Sequence, residues 1–265
     1  METVLITPRL RLSLVTRAER GSEELGWLHE WRSDELSMAW SIHPPSKTLE
    51  ETEKLVANYL PPSSTTPAID AADTQRFRIA YAIHRLPEPT LLHANPNEPQ
   101  NKTTDTPSTT TFIGLVTLLP ITPSHLSLPA HLTNPSTPNP QPTLVVELAY
   151  ALLPSFWNRG YATESIRAVL AACRREENRS FWSPWERVWV RAIVNERNPR
   201  SRAVLGKCEG VREMGVFVWR GEEIHIGGEW RTEDRLVIFG GGGVKRGEER
   251  ERREGGVNGF FQSLC

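Results

Sequence analysis

A chain of 265 residues has room for one or two domains, and its 31 Lys and Arg against 32 Asp and Glu leave a formal charge of −1, without the net basic field of a dedicated nucleic-acid binder. Hydrophobic residues reach only 38% and prolines number 21, so part of the chain is expected to lie outside a packed core. The three cysteines, Cys173, Cys208 and Cys265, are odd in number and lack ligand spacing, and the seven histidines are scattered, which argues against a disulfide framework and against a metal site. The opening METVLITPRLRL lacks the apolar run of a secretory signal, and no apolar stretch reaches the length of a membrane span, so the expected setting is the cytoplasm or the nucleus, with no membrane partner.

In chain order, Leu10, Leu12 and Leu14 alternate with Arg9, Arg11 and Ser13, the period of a half-buried strand. Ser22 to Trp40 reads as one or two amphipathic helices, and Ser46 to Leu60 as another, with Ser46 as its cap and Pro61-Pro62 as its stop. Gln75 to Ile83 and Phe112 to Leu119 are the next strands. Between and after them, about 87–111 and 120–142 are rich in Pro, Thr, Asn and Ser and read as low-complexity insertions, with His125 and His131 exposed within the second. Leu144 to Leu153 is an apolar, strand-like run. Pro154-Ser155 turns the chain, Asn158-Arg159-Gly160 follows, and Ala162, Ile166, Val169, Leu170 and Cys173 then mark one face of a helix. Arg187 to Val194 alternates again, Asn198-Pro199 starts a short helix, and Val211 to Arg220 and Thr232 to Phe239 finish the strands. From Gly240 to Cys265, glycine and dense mixed charge read as a tail that builds no core. The expected organisation is one domain over 1–239 and a disordered tail over 240–265.

The centre of this pattern is a strand, a glycine turn and a helix. The first N–H groups of a helix lack internal partners and carry partial positive charge, and glycine lets a ligand approach the main chain, so Asn158 to Thr163 reads as a phosphate cradle. No Gly-Lys-Ser/Thr follows, and only one glycine is present, which sets it apart from nucleoside-triphosphate loops and dinucleotide fingerprints.

Around this turn, Glu147-Leu148-Ala149-Tyr150 and Trp157-Asn158-Arg159-Gly160-Tyr161-Ala162-Thr163-Glu164-Ser165 resemble the acetyl-CoA-binding segment of the GNAT superfamily of N-acetyltransferases. They resemble most the branch of ribosomal-protein N-terminal alanine/serine acetyltransferases. Asn158 stands where that branch has the first loop glycine, a substitution that a left-handed turn tolerates. Val194 to Cys208, carrying Asn198, Ser201, Val204, Leu205 and Lys207, and Thr7 to Thr16 resemble two further family segments in family order. The resemblance implies an α/β (α+β) fold: a mixed, mostly antiparallel sheet of about seven strands, splayed in the middle, with helices on both faces. It implies acetyl-CoA as co-substrate, no metal, and a primary amine as acceptor, either a protein N-terminus or a small molecule, on a monomer or homodimer.

The resemblance also distributes roles. Asn158, Arg159, Gly160, Tyr161, Ala162 and Thr163 would hold the diphosphate. Ala151, Leu152 and Leu153 would face the pantetheine arm through the splay, with a main-chain N–H near Leu152 at the thioester carbonyl and Asn198 contacting the arm besides capping its helix. Glu147 would be the base that frees the amine of its proton. No Tyr occurs between Asn198 and Val211, where many relatives carry the acid for the leaving thiolate, so that role passes to Ser201, with Cys208 as second choice. Trp27, Trp31, Trp40, His43 and Tyr59 are candidates to line the acceptor side. The alternative is a non-catalytic acyl-CoA-binding or scaffold protein of the same fold.

Overall fold

A computed structural model describes residues 1–62, 74–87, 110–123, 125–133 and 142–245. Eight strands form one sheet: β1 (Val4–Ile6), β2 (Leu10–Leu14), β3 (Ile79–Arg85), β4 (Thr111–Pro120), β5 (Thr143–Leu152), β6 (Arg187–Asn195), β7 (Arg212–Ile226) and β8 (Glu229–Lys245), in the order β1-β2-β3-β4-β5-β6-β8-β7. All neighbours are antiparallel except β5 and β6. That parallel pair needs a crossover, and helix α4 (Tyr161–Arg174) supplies it. The expected count of about seven strands missed the three-residue edge strand β1, too short to show a period.

The sheet is covered on both faces. On one, Ile166, Val169, Leu170 and Cys173 of α4 pack on Val146, Leu148, Val190, Ala192, Val237 and Phe239. On the other, α1 (Glu23–Ser33), α2 (Glu35–Met38) and α3 (Leu49–Val56) bring Leu28, Trp31, Met38 and Val56 onto Ala80, Ala82, Leu115 and Leu153. Ser22 caps α1 by accepting from the Leu25 N–H. Thr48, not Ser46, caps α3, because the helix starts only at Leu49 and it is the Thr48 hydroxyl that accepts the Glu51 N–H at 3.2 Å.

Three sequence expectations change. Thr74–Phe77 is a 3₁₀ turn rather than the start of β3. The second insertion is partly docked: its Leu132 is buried against Gly215 of β7, and its Leu126 carbonyl accepts from Arg191; His131 is exposed, but His125 is half-buried and its Nδ1 accepts the Thr122 N–H. The tail boundary moves from Gly240 to beyond Lys245, because β8 continues against β6 through Gly240, Gly241, Gly242, Val244 and Lys245. Residues 88–109, 134–141 and 246–265, where the rest of the insertions and the tail were expected, lie outside the described residues, as does Cys265. Among the described residues, no helix is long and apolar enough to cross a membrane.

Candidate active site

The two middle strands part company. β5 pairs with β6 from Thr143↔Arg187 to Glu147↔Arg191, and the pairing ends there. Beyond it β5 follows β4 to Gly114↔Leu152, and β6 follows β8 to Asn195↔Leu236. A wedge therefore opens past Glu147 and Arg191. The Leu153 N–H donates to the Ile113 carbonyl at 2.9 Å, which fixes the alternation: odd-numbered main-chain groups of β5 turn to β4, even-numbered ones to the wedge. Of the expected Ala151, Leu152 and Leu153, only Leu152 presents its main chain to the wedge. Tyr150, not expected, joins it. The Leu152 carbonyl accepts from the Trp157 indole at 2.6 Å and from the Ser37 hydroxyl at 3.2 Å, which leaves its N–H as the group facing the gap.

The expected cradle lies at the wedge's open end. Asn158 has φ 59° and Gly160 φ 80°, two left-handed residues that fold the loop back to start α4. Gly160 occupies the cap position and no side chain caps the helix, so the first turn's N–H groups at Tyr161, Ala162 and Thr163 stay available to an anion, with the helix dipole behind them. Asn158, Arg159 and Gly160 are exposed, while Tyr161 is buried and anchors the turn. Glu164, an acid that could have neutralised the turn, faces away. It accepts from the Thr7 hydroxyl (2.6 Å), the Arg9 N–H (3.1 Å) and Arg9 Nε (2.7 Å). Arg9 also donates to the Arg159 carbonyl at 2.9 Å and lies 4.7 Å over the Tyr161 ring. β2 and α4 are thereby stapled beneath the loop, with a guanidinium left beside it.

Across the wedge, α5 (Pro199–Leu205) begins at Asn198, whose Oδ1 accepts the Ser201 N–H at 3.1 Å. The capping role expected of Asn198 is thus present. Ser201 Oγ lies 2.7 Å from Tyr150 Oη, so β5 and α5 are joined over the gap by a hydroxyl pair. Burial pushes the Tyr150 phenol up to about 12, opposed by the Ser201 hydrogen bond. Cys208 is buried, its Sγ lies 3.4 Å from the Val204 carbonyl, and burial raises its thiol pKa.

Glu147 sits at the apex of the wedge on the face opposite α4. Arg191 Nε and Nη2 bind its Oε2 at 2.9 and 2.8 Å; the Arg191 side chain is 6% exposed and that of Glu147 27%. Its partner across the parallel ladder, Arg191, puts a buried guanidinium beside this carboxylate. On that same face Ala149 is exposed in the middle of the sheet, so a trough runs over β5. The hairpin joining β7 and β8 arches toward α2: the Gly227 N–H donates to the Ala39 carbonyl at 2.7 Å and the Trp40 ring packs on Gly227. Of the residues expected to line the acceptor side, Trp27, Trp31 and Tyr59 pack into the core beneath α1 and α3, and Trp40 stands at the arch. His43 is exposed. Among the described residues no group of His, Cys, Asp and Glu side chains is placed to hold a metal ion.

Sequence reasoning quoted Tyr150, Trp157 and Glu164 without a role and missed Arg9 and Arg191. Only the register of β5 against β4 and β6 reveals that Tyr150 faces the gap, and nothing in the local sequence pairs Arg9 with Glu164, 155 positions apart.

The chain belongs to the GNAT acetyltransferase family: residues 9–211 match the family described as Acetyltransferase (GNAT) domain. No curated protein matches it significantly. Among solved structures it is similar to a GNAT-family acetyltransferase from Bacillus anthracis, at 16% identity and TM-score 0.50 over 91% of this chain and 98% of that one. It is also similar to spermidine N-acetyltransferase from Vibrio cholerae in complex with CoA and spermine, at 18% identity and TM-score 0.45 over 86% and 94% of the two chains.

Proposed function

We propose that this chain moves the acetyl group of acetyl-CoA to a primary amine, at a protein N-terminus or on a small molecule. The observation that carries this reading is the conjunction of an uncapped helix start at Gly160 with a wedge that opens beside it past Glu147 and Arg191. An anion on the Tyr161, Ala162 and Thr163 amides leaves an extended arm aligned with the wedge, where the Tyr150 main-chain groups can bond the arm's amides. The Leu152 N–H then serves the thioester oxygen as negative charge develops. The amine enters from the trough over Ala149, and Glu147 Oε1, which Arg191 does not hold, takes its proton directly or through water. The finer assignment to the branch acting on ribosomal-protein N-termini rests on the Trp157 to Ser165 motif.

The test is an acceptor panel of peptides and small amines with release of free CoA thiol as readout. Glu147→Gln is expected to lower kcat about 10²-fold at neutral pH and leave acetyl-CoA affinity unchanged. An unaltered rate hands the proton to water alone. The pairing of Glu147 with Arg191 and the lack of a Tyr on α5 favour one second reading, a non-catalytic acyl-CoA-binding protein. It predicts saturable acetyl-CoA binding with no thiol released across the panel.

A further inference from the structure

We propose that Tyr150 is a positioning residue for the leaving sulfur: it orients the Ser201 hydroxyl so that its proton is offered into the gap between β5 and β6. This rests on the acetyl-transfer reading above.

Tyr150 stands three residues past Glu147, the last position of β5 paired with β6, and its side chain crosses the wedge to the first turn of α5. Its Oη is 2.7 Å from Ser201 Oγ and 3.3 Å from the Ser201 carbonyl oxygen. Either hydroxyl could donate across the 2.7 Å contact; the phenol is the stronger acid of the two and also lies within reach of the Ser201 carbonyl, which only accepts, so we assign the proton between the oxygens to Tyr150. The Ser201 N–H is committed to Asn198. With the phenol donating, the Ser201 O–H is released from the pair to point into the gap, polarised by the hydrogen bond its oxygen accepts. The phenol missing from α5 in the sequence is thus delivered to α5 from the neighbouring strand.

The chemistry needs only a hydrogen bond. As the amine nitrogen bonds to the thioester carbon, the carbon–sulfur bond breaks and its electron pair goes to sulfur. The amine proton leaves to Glu147 or water, and the departing thiolate takes its proton from water. While charge sits on sulfur, the Ser201 O–H donates to it and keeps its own proton. A phenol held up to about 12 by burial suits this role, because it stays protonated, and so stays a donor, throughout the working range.

The experiment compares Tyr150→Phe, Ser201→Ala and the double variant, with kcat and KM measured separately. Tyr150→Phe keeps the ring and its packing; Ser201→Ala is the second route to the same hydroxyl pair if the first variant fails to fold. Each single variant is expected to lose about tenfold or more in kcat, the loss of one charge-assisted hydrogen bond, with KM for acetyl-CoA changed by no more than about twofold. The double variant is expected to be no slower than Ser201→Ala alone, and Ser201→Thr to retain most of the rate. The pair is also read without an acceptor: the thiol of bound CoA, followed by thiolate ultraviolet absorbance, is expected to ionise at lower pH in the unaltered chain than in Tyr150→Phe. No turnover by the unaltered chain overturns acetyl transfer, while the thiol titration still judges the pair. Unchanged kcat with unchanged thiol ionisation in Tyr150→Phe, or losses that multiply in the double variant, overturn the proposal.

Discussion

At the scale of single residues, the candidate site is shaped by main-chain direction more than by side-chain identity. Asn158 does what a glycine would do at φ 59°, and Gly160 leaves the helix start open because it has no side chain to cap it. Both were legible in the sequence, since turn chemistry is local. The partners of Glu147 were not. Its surroundings looked apolar along the chain, yet Arg191 stands directly across the parallel ladder, a neighbour set by register.

His84 is a residue-scale case with a pH signature. It is buried between Trp27 and Phe112, at 4.5 and 5.7 Å between ring centroids, and neither ring nitrogen has a partner of hydrogen-bonding geometry among the described residues. Burial first, then the Arg11 charge, lowers its pKa below the usual 6.5, although the Ala82 and Arg11 main chains and the Glu23 charge pull the other way. The unfolded chain therefore takes up this proton first as pH falls. Its contribution to stability is present above about 6.5 and is lost as pH falls through that value toward the folded-state pKa. His84→Phe is expected to shrink the drop in Tm between about pH 7.5 and about pH 5.5, whichever way it moves Tm at neutral pH. Parallel melting curves check this, and an undiminished drop would place the acid sensitivity elsewhere.

At the scale of elements, long periodic segments announced themselves and glycine-rich or very short ones did not. α4 and β6 appear where their spacing put them, Tyr161–Arg174 and Arg187–Asn195. The run Gly240-Gly241-Gly242 looked like a tail because glycine contributes no apolar period, yet it is strand, and its glycines answer to crowding. A Cβ on Gly241 would fall inside the Gly210 carbonyl, and one on Gly240 would stand 2.8 Å from the Trp189 ring. Gly242 has open space around it. Gly241→Val is therefore expected to cost about 2 kcal/mol or more, and Gly242→Val little, as judged by denaturant unfolding. Equal effects at the two positions would mean that conformational freedom, rather than close approach, explains the run.

At the scale of the whole molecule, the sheet divides the work between its faces. The face under α4 carries the loop, the wedge mouth and the Tyr150–Ser201 pair; the face under α1, α2 and α3 carries Glu147 and the trough over Ala149. The break in the β5–β6 ladder is the opening between them. The sequence announced the strands on either side of that break but not which carbonyls and amides would face it, because alternation is a property of pairing. The acetyl-transfer reading stands on the main-chain amides after Gly160 holding the diphosphate of acetyl-CoA. Calorimetric titration of acetyl-CoA into the full chain and into Gly160→Val tests it most directly, with Tm confirming that the variant is folded. One saturable site is expected in the unaltered chain, with affinity at least about 30-fold weaker in the variant, about 2 kcal/mol for a charge-assisted hydrogen bond or two. Equal affinity in a folded variant would contradict the claim.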